Sequence, residues 1–232
     1  MVEKLLLFGL TRQEATIYIS LFQNGASNGY EVAKQTGISR SNVYNALAGL
    51  VEKGAAYLIE GASSKYIAVP VEEFCDNKLR VATQAKQYLV ENLVTSKQSS
   101  DGYITIEGYT HIHDKIINML EKAEKRIYFS LASKYLDDYR EYLQQLSDQK
   151  IKVVIITDQP IKLQGAKVYL TEKREKQIRV IVDSKYVLTG EFSENEQDTC
   201  LYCGQKNFVN VFKDALRNEI KLIELKKNTD EI

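Results

Sequence analysis

Apolar residues recur with helical spacing through residues 1–60 and 70–95, whereas short β-branched runs become frequent from residue 103 onward. Residues 95–102 read TSKQSSDG and contain no apolar side chain, which is typical of a linker. The pattern predicts an α+β protein in four segments. These are a mainly helical N-terminal domain at 1–69, a long joining helix at 70–95, a linker at 96–102 and an α/β domain at 103–232.

Helix-start and helix-stop signals divide the N-terminal domain into three short helices. Thr11 with Glu14, and Asn28 with Glu31, have the spacing of capping boxes, in which the two side chains satisfy backbone N–H groups reciprocally. Ser39 is the expected N-cap of the third helix. Each helix is expected to end at the glycine that follows it, at Gly25, Gly37 and Gly54.

The apolar positions of these helices predict a helix-turn-helix. The side chains expected to face the core are Ala15, Tyr18, Ile19 and Phe22 in the first helix and Val43, Leu47, Leu50 and Val51 in the third. A short helix, a turn containing Gly37, and a longer helix over about residues 40–53 follow in the order of that motif. Residues 55–60 and 65–69 then read as a β-hairpin with a polar tip at 61–64, which in this position is a wing.

The outward face of the third helix carries groups that can bind a DNA duplex. A rotation of about 100° per residue away from Val43 places Ser41, Asn45 and Ala48 outward. Hydroxyl and amide groups can bond base edges or phosphates, and small side chains allow a close approach to the major groove. The predicted DNA-binding residues are Ser39, Arg40, Ser41, Asn42, Tyr44 and Asn45 on the helix and Ser63, Ser64 and Lys65 on the wing.

Composition limits how strongly charge alone can attract DNA. Lys plus Arg and Asp plus Glu both total 31, so the chain has no net charge that would coat DNA indiscriminately. Residues 1–70 hold six basic and five acidic side chains, so we expect weak non-specific binding and an affinity that comes from paired half-sites. With three cysteines, no long apolar run and no secretory signal, a reduced, cytoplasmic protein without a membrane span is expected.

The stretch GISRSNVYNALAGLVEKG, residues 37–54, is the most specific part of a run that resembles the winged-helix domain of the TrmB family of prokaryotic transcriptional regulators. The resemblance implies a sequence-specific DNA-binding protein, and many members of that family respond to sugars. Sugar-responsive members generally continue into a further C-terminal sugar-binding region, whereas this chain ends soon after a helix that closes near residue 227. We therefore expect an effector of another class, or none.

A long amphipathic helix is predicted from residue 71 to about residue 93, directly after Pro70. At 1.5 Å per residue such a helix is about 30 Å long or more, which exceeds what a domain of roughly seventy residues covers. We expect it to dimerise, and a dimer supplies two DNA-reading helices for a palindromic operator. Packing on its own domain is the alternative. The predicted dimerisation residues are Phe74, Leu79, Ala82, Leu89 and Leu93.

The last segment alternates strand-like runs with helices expected at about residues 110–123, 134–147 and 207–225. Within it, residues 176–193 resemble the strand-turn-strand that carries the His-x-Lys-x4-Asp and Gly-Ser-x-Asn signature of the phospholipase D superfamily. TrmB-like regulators carry a domain of this kind after their winged helix, so the two resemblances support each other. Asp183 and Gly190 match the signature.

The residues that would perform phosphodiester chemistry do not match. Lys176 stands at the position of the nucleophilic histidine, Ile178 at that of the phosphate-binding lysine, and Glu191 and Ser193 at those of the Ser and Asn. Because the reaction needs an imidazole nucleophile and a cation that stabilises the phosphorane, we expect no catalysis, no catalytic residue and no cofactor. Asp183 is expected to cap or brace the hairpin turn that it opens. The candidate residues for a small ligand are Lys176, Arg179, Asp183 and Glu191.

Two further groups suggest metal chemistry at first sight. On a helix, His111 and His113 would lie about 200° apart, so they would not share one metal ion. On a strand, Cys200 and Cys203 would point to opposite faces. We predict no metal site from either pair.

The sequence thus predicts a homodimeric regulator of the TrmB type, with double-stranded DNA as its partner and a small-molecule effector as a possible second ligand. Its C-terminal domain would sense that effector or extend the dimer contact. Two alternatives stay open: a phosphodiesterase of the phospholipase D type that the winged helix targets to DNA, and an adaptor whose winged helix binds protein.

Overall fold

The computed structural model of the chain describes residues 1–61, 63–93, 102–171 and 176–230. The chain divides into two compact units, Met1–Lys97 and Gln98–Ile232. Each unit has hydrophobic clusters of its own. The α+β class is confirmed. Ala62 of the predicted wing tip, the end of the predicted joining helix at 94–95, and the predicted linker up to residue 101 lie outside the described residues.

The first unit contains a bundle of short helices, a hairpin and one long helix. In chain order these are α1 (Val2–Leu6), α2 (Arg12–Asn24), α3 (Gly29–Thr36), α4 (Arg40–Glu52), β1 (Ala56–Ile59), β2 (Lys65–Ala68) and α5 (Val71–Asn92). The two strands pair in antiparallel register, with Ile59 opposite Lys65. Helix α1 escaped sequence-based prediction because five residues are too few to display a helical period.

Capping chemistry fixes where α2 and α3 begin, as the sequence predicts. Thr11 and Glu14 form a complete capping box at the start of α2, and Asn28 and Glu31 form one at the start of α3. Gly37 ends α3 in the left-handed conformation at φ +70°, a conformation that costs glycine no steric strain. The loop before α3 is joined to the wing by a pair of backbone hydrogen bonds between Ser27 and Tyr66.

The core of the first unit corrects two predicted core positions. Phe22 is 57% exposed and Val51 is 37% exposed. In α2 the buried stripe passes through Ile17 and Leu21 instead, which leaves Phe22 at the edge, where its ring packs on that of Tyr18. Val51 points outward because it is rotated by about 100° around the helix axis from the buried Leu50.

The buried carboxylate of Glu14 joins α2 to α4. Its Oε2 accepts a hydrogen bond from the backbone N–H of Thr11. The same atom forms a 2.6 Å ion pair with Nζ of Lys53, the residue that directly follows the last residue of α4. Burial by itself raises the pKa of Glu14, but the hydrogen bonds from Lys53 and Thr11 outweigh it, so the pKa lies below the ordinary value. Gly49 is the residue of α4 that faces this carboxylate, and a Cβ there would collide with Oε1 of Glu14.

The second unit is a seven-stranded mixed sheet with helices on both faces. Its elements are β3 (Ile104–Glu107), α6 (Tyr109–Glu121), β4 (Arg126–Ser130), α7 (Arg140–Asp148), β5 (Lys152–Thr157), β6 (Lys167–Leu170), β7 (Gln177–Val182), β8 (Tyr186–Glu191), β9 (Thr199–Cys203) and α8 (Lys206–Asp230). The strand order is β3-β9-β8-β7-β4-β5-β6. Strands β4, β5 and β6 are parallel, and the other neighbours are antiparallel.

The two faces of this sheet have separate cores. Helices α6 and α7 cover one face, where Phe129, Ile155 and Val180 are buried, and α8 covers the other, where Val154 and Ile181 are buried. The prediction of one helix over 134–147 is wrong in its first half. That part of the chain forms two short 3-10 helices, Ser133–Tyr135 and Asp137–Tyr139, before α7 begins. The carboxylate of Asp158 accepts the N–H of Ser133 at 2.6 Å and thereby fixes the start of that segment.

We predict that Gly49→Ala destabilises the first unit, although alanine has the higher helix propensity by about 1 kcal/mol. The new Cβ would displace the Glu14 carboxylate from Lys53 and Thr11, so the free energy of unfolding should fall by about 1–3 kcal/mol. Urea unfolding followed by far-ultraviolet circular dichroism measures it. In a Glu14→Ala background the same substitution should instead stabilise, and stabilisation in the wild-type background would contradict the prediction.

Candidate nucleic-acid interface

Helix α4 presents its predicted DNA-binding side to solvent. Val43, Leu47 and Leu50 are fully buried on the inner side of the helix. On the outer side, Ser39, Arg40, Ser41, Asn42, Tyr44, Asn45 and Ala48 are all exposed. Because its small residues lie among amide and hydroxyl groups, this surface has both the shape and the hydrogen-bonding groups that a major groove accepts.

The N-terminus of α4 differs from those of α2 and α3. Ser39 occupies the N-cap position as predicted, but among the described residues no side chain caps α4, and the Ser39 hydroxyl lies 3.4 Å from that of Ser41. The N–H groups of the first turn therefore face solvent with the positive end of the helix dipole. Such a terminus is suited to a phosphate oxygen of a DNA backbone.

Two aromatic side chains flank this terminus. The guanidinium of Arg40 lies over the ring of Tyr30, 4.7 Å from its centroid, which holds the cation beside the exposed surface. The ring of Tyr44 lies against Gly29 at the start of α3, so closely that a Cβ at Gly29 would be 2.6 Å from Cε1 of Tyr44. Tyr30 was missed at the level of sequence, because a tyrosine in the first turn of α3 gives no sign that it contacts α4.

The wing is attached to the unit through both strands of the hairpin. Ser63, Ser64 and Lys65, the predicted DNA-binding residues of the wing, are exposed at its tip. At its base, the hydroxyl of Tyr57 donates a 2.8 Å hydrogen bond to the Glu73 carboxylate at the start of α5. The wing is therefore held by α5 on one side and by the Ser27–Tyr66 backbone pair on the other.

Helix α5 projects most of its length away from the core of its unit. Among its described residues Phe74 alone is buried, at 1% exposure, and its ring packs on those of Phe8 and Tyr18. Phe74 is therefore a core residue, and its place in the predicted dimerisation face is wrong. The remaining predicted residues, Leu79, Ala82, Leu89 and Leu93, are exposed, together with Val90 on the same side.

The predicted ligand residues of the second unit do not meet in one place. Lys176 and Glu191 are at one end of the β7–β8 hairpin, and Asp183 is at the other end, about 20 Å away at 3.3 Å per residue. Arg179, in the middle of β7, is buried under α8 and pairs with Glu219 at 3.2 Å. The structure therefore separates them into a hairpin end, a turn and a buried ion pair.

Asp183 braces the start of β4 rather than only its own turn. Its carboxylate accepts hydrogen bonds of 2.8–3.0 Å from the N–H groups of Glu124, Lys125 and Arg126. Burial raises its pKa, but these three backbone donors outweigh burial and hold the pKa below the ordinary value. Asp183 and Ser184 both have positive φ, as the two central residues of a type I′ turn require, within the three-residue connection between Val182 and Tyr186.

The two histidines have different surroundings, and the two cysteines lie on opposite faces of the sheet. His113 lies between aromatic rings, and its Nδ1 is 2.9 Å from the hydroxyl of the buried Tyr139. His111 is exposed at the start of α6. Cys200 belongs to the core on one face of the sheet and Cys203 to the core on the other. Burial raises the pKa of the Cys200 thiol to about 12.

A helix pair with an exposed second helix, followed directly by an antiparallel hairpin, defines the first unit as a winged helix-turn-helix DNA-binding module. Residues 5–72 match the family model described as "Sugar-specific transcriptional regulator TrmB", and residues 102–218 match "Transcriptional regulator TrmB, EBD N-terminal subdomain". The second match alone covers half of the chain. The chain belongs to the TrmB family of transcriptional regulators, as its sequence predicts.

Individual relatives are distant. YrhO of Bacillus subtilis is 29% identical over 164 residues, which cover 69% of this chain and 59% of YrhO. The HTH-type sugar sensing transcriptional regulator TrmBL1 of Pyrococcus furiosus is 23% identical over 165 residues, covering 66% and 46%. The chain thus spans about half the length of these curated relatives. A solved structure of TrmBL2, an archaeal chromatin protein, aligns over 95% of this chain and 97% of its own, with 19% identity and a TM-score of 0.46.

None of the helices in the described part of the chain is both long enough and apolar enough to cross a membrane.

We predict that Asp183 contributes to stability through the three backbone donors. Asp183→Asn tolerates the same left-handed backbone but removes the charge and one acceptor, so the free energy of unfolding should fall by about 1–2 kcal/mol at neutral pH. The pKa of Asp183 is lowered on folding, so its contribution is present at neutral pH and is lost as the pH falls from 3.8 through the folded value. Urea unfolding at neutral and acidic pH measures both effects.

Asp114→Asn, at an exposed position of α6, is the matched control and should leave stability unchanged. A variant at Asp183 with wild-type stability at every pH would contradict the brace.

Proposed function

We propose that two copies of the chain bind a palindromic operator as a sequence-specific transcriptional regulator. Helix α4 enters the major groove, the wing contacts the adjacent backbone, and α5 joins the two copies. The C-terminal unit performs no catalysis and senses an effector or extends the dimer contact. The observation that carries the proposal is the exposed side of α4, on which Ser41, Asn45 and Ala48 stand free of the core.

The polarity of this surface supports a role in reading sequence rather than only in neutralising phosphates. Asn45 has an amide that can bond the N6 and N7 atoms of adenine at once, and Ala48 allows the helix to lie deep in the groove. Arg40, held over Tyr30, and Lys65 on the wing lie at positions suited to phosphates. With few cations on the surface, the operator preference depends on such base contacts and on the pairing of two half-sites.

The exposed apolar side of α5 supports dimerisation. Leu79, Leu89 and Leu93 are 56%, 50% and 67% exposed in the single chain, and Ala82 lies beside them. They recur over about 21 Å of helix on one side, whereas Arg80, Gln84, Gln87 and Glu91 occupy the other side. A row of exposed leucines of this length is typical of a helix that pairs with a second helix.

The surroundings of the phospholipase-D-like signature support a role without catalysis. Ile178, at the position of the phosphate-binding lysine, is fully buried among apolar side chains. Phe192 fills the space after β8 and packs against the rings of Tyr109, Tyr135 and Tyr139. Both the hydroxyl and the backbone N–H of Ser193 donate hydrogen bonds to Asp198. Apolar side chains and groups already hydrogen-bonded within the protein therefore occupy the region where the signature has its reactive side chains.

We predict that Asn45→Ala weakens binding to the preferred duplex by about 10- to 100-fold, because one bidentate base contact is worth about 1–3 kcal/mol. Selection from a random duplex library, followed by fluorescence anisotropy with the selected sequence, measures the effect. Binding to an unrelated duplex should change little.

Gln23→Ala is the matched control, because Gln23 is an exposed helical amide on α2 rather than on α4. If the wild-type chain shows no preference among duplexes, the protein-binding adaptor is favoured and the regulator proposal fails.

We predict that Leu89→Glu converts the dimer into a monomer. In the dimer, the carboxylate of each copy would be buried against the apolar side of α5 of the other copy. The dimer dissociation constant should therefore rise about 100-fold. Glutamate is a strong helix former, so α5 itself should remain intact. Sedimentation equilibrium measures the oligomeric state. Gln84→Glu adds the same charge on the opposite side of α5 and should leave the dimer unchanged; equal dissociation in both variants would contradict this interface.

A further inference from the structure

A concave pocket of about 330 Å³ lies between α8 and strands β4, β5 and β6 of the second unit. The sheet is about 30 Å wide at about 4.8 Å per strand, whereas a helix is only about 10 Å wide. On this face α8 therefore covers some strands and leaves a groove beside the others. The volume lies in the range of small-molecule sites, about 300–1,000 Å³.

Strand register builds the floor of this groove. Tyr128, Val154 and Lys167 are aligned across the three parallel strands and point to the same side. Tyr169 follows two residues after Lys167 on β6 and also lines the groove. From the other wall, Leu216 and Ile220 of α8 add apolar surface. The floor can therefore contact the carbon skeleton or ring of a ligand.

Positive charge is concentrated on the rim. Five cationic side chains line the groove against a single carboxylate, Glu224, in a chain whose charges balance overall. The cations are Lys152 and Lys167 from the sheet and Lys213, Arg217 and Lys221 from α8. On α8 they recur every four residues, a spacing at which like charges repel each other along a helix.

Within the described part of the chain, two of the five cations are paired, Lys167 with Glu224 and Arg217 with Asp214 at 3.1 Å, and the other three are not. Glu224 is already engaged by Nζ of Lys167 at 3.2 Å and by the hydroxyl of Tyr169 at 2.8 Å. Among the residues that the structure describes, Lys152, Lys213 and Lys221 have no carboxylate within ion-pair distance. A dianionic group in the groove would relieve the repulsion and accept several charge-assisted hydrogen bonds.

We propose that this groove binds a small molecule that carries one or more phosphate groups. The ammonium groups of Lys152, Lys213 and Lys221 and the guanidinium of Arg217 contact the phosphate, and Tyr128 and Tyr169 contact the rest of the molecule. The proposal rests on the effector-sensing part of the proposed function and names the chemical class of its ligand. A concave site whose floor is apolar favours a small ligand over the convex backbone of a duplex.

The test is isothermal titration calorimetry on the full chain in a phosphate-free buffer. The probes are pyrophosphate, ADP and glucose 6-phosphate, with adenosine and glucose as uncharged controls. We expect at least one phosphorylated probe to bind and its uncharged counterpart to fail. Lys152→Gln with Lys213→Gln should weaken that binding by about tenfold or more, since two charge-assisted contacts are removed.

Lys162→Gln with Lys206→Gln removes the same charge from exposed positions outside the groove and should leave the affinity within about twofold. If no phosphorylated probe binds, or if both double variants weaken it equally, the proposal is overturned. It is also overturned if the groove variant lowers duplex affinity as Asn45→Ala does, because the groove would then contact DNA. Asn45→Ala should bind the probe normally, so failure of the DNA-reading proposal and failure of this one are distinguishable.

Discussion

The orientation of helix α4 depends on one buried carboxylate. Glu14 begins α2 as the acid of its capping box and ends α4 as the partner of Lys53, so a single side chain fixes the two helices against each other. The ion pair is favourable because the backbone N–H of Thr11 supplies a further hydrogen bond that offsets the desolvation of the carboxylate. Gly49 is required at the point of closest approach. Together with the buried Val43, Leu47 and Leu50, this contact fixes the inward side of α4 and leaves exposed the outward side that we propose reads DNA.

In the second unit, too, the residues that hold the fold are distinct from those of the groove that we propose binds a ligand. Helix α8 is held on the sheet by apolar packing and by Glu219, which pairs with the buried Arg179 at the centre of β7. Breaking such a pair would leave one charge buried without its partner, which is costly. With the helix fixed at that point, its basic residues on either side of Glu219 line the groove over β4, β5 and β6 rather than the core.

Local signals in the sequence predicted much of this molecule. The capping boxes, the glycine stops and the β-branched runs act within a few residues, and they gave the helix pair, the wing and the strands of the mixed sheet. Short or irregular elements were missed: α1 is too short for a period, and the 3-10 segment before α7 depends on Asp158, which follows β5 about 25 residues later. Burial was predicted less well where two faces of a helix are both apolar, as at Phe22 and Phe74.

The two candidate sites also differ in whether local sequence could predict them. The side of α4 that we propose faces DNA is contiguous in sequence, so its spacing alone could predict it. The groove under α8 could not be predicted, because Lys152, Lys167 and Lys213 come together only through the parallel register of β5 and β6 and the path of α8. The Arg179–Glu219 pair joins residues 40 positions apart, and neither its strand nor its helix gives any sign of the other.

Asp183 has a structural role that does not depend on catalysis, so this residue of a catalytic signature can persist in a unit that we propose performs none. The carboxylate is directed at three backbone N–H groups at the start of β4, and its left-handed φ of 52° suits the turn between β7 and β8. Both requirements concern the backbone and hold whether or not a nucleophile stands seven residues earlier. The positions of Lys176 and Ile178 impose no comparable requirement. At 176 the structure uses the backbone carbonyl, which accepts the N–H of Phe192, and at 178 it needs an apolar side chain for the core. A match at Asp183 is therefore evidence for the fold. Whether the signature could support phosphodiester chemistry depends on the residues at positions 176 and 178.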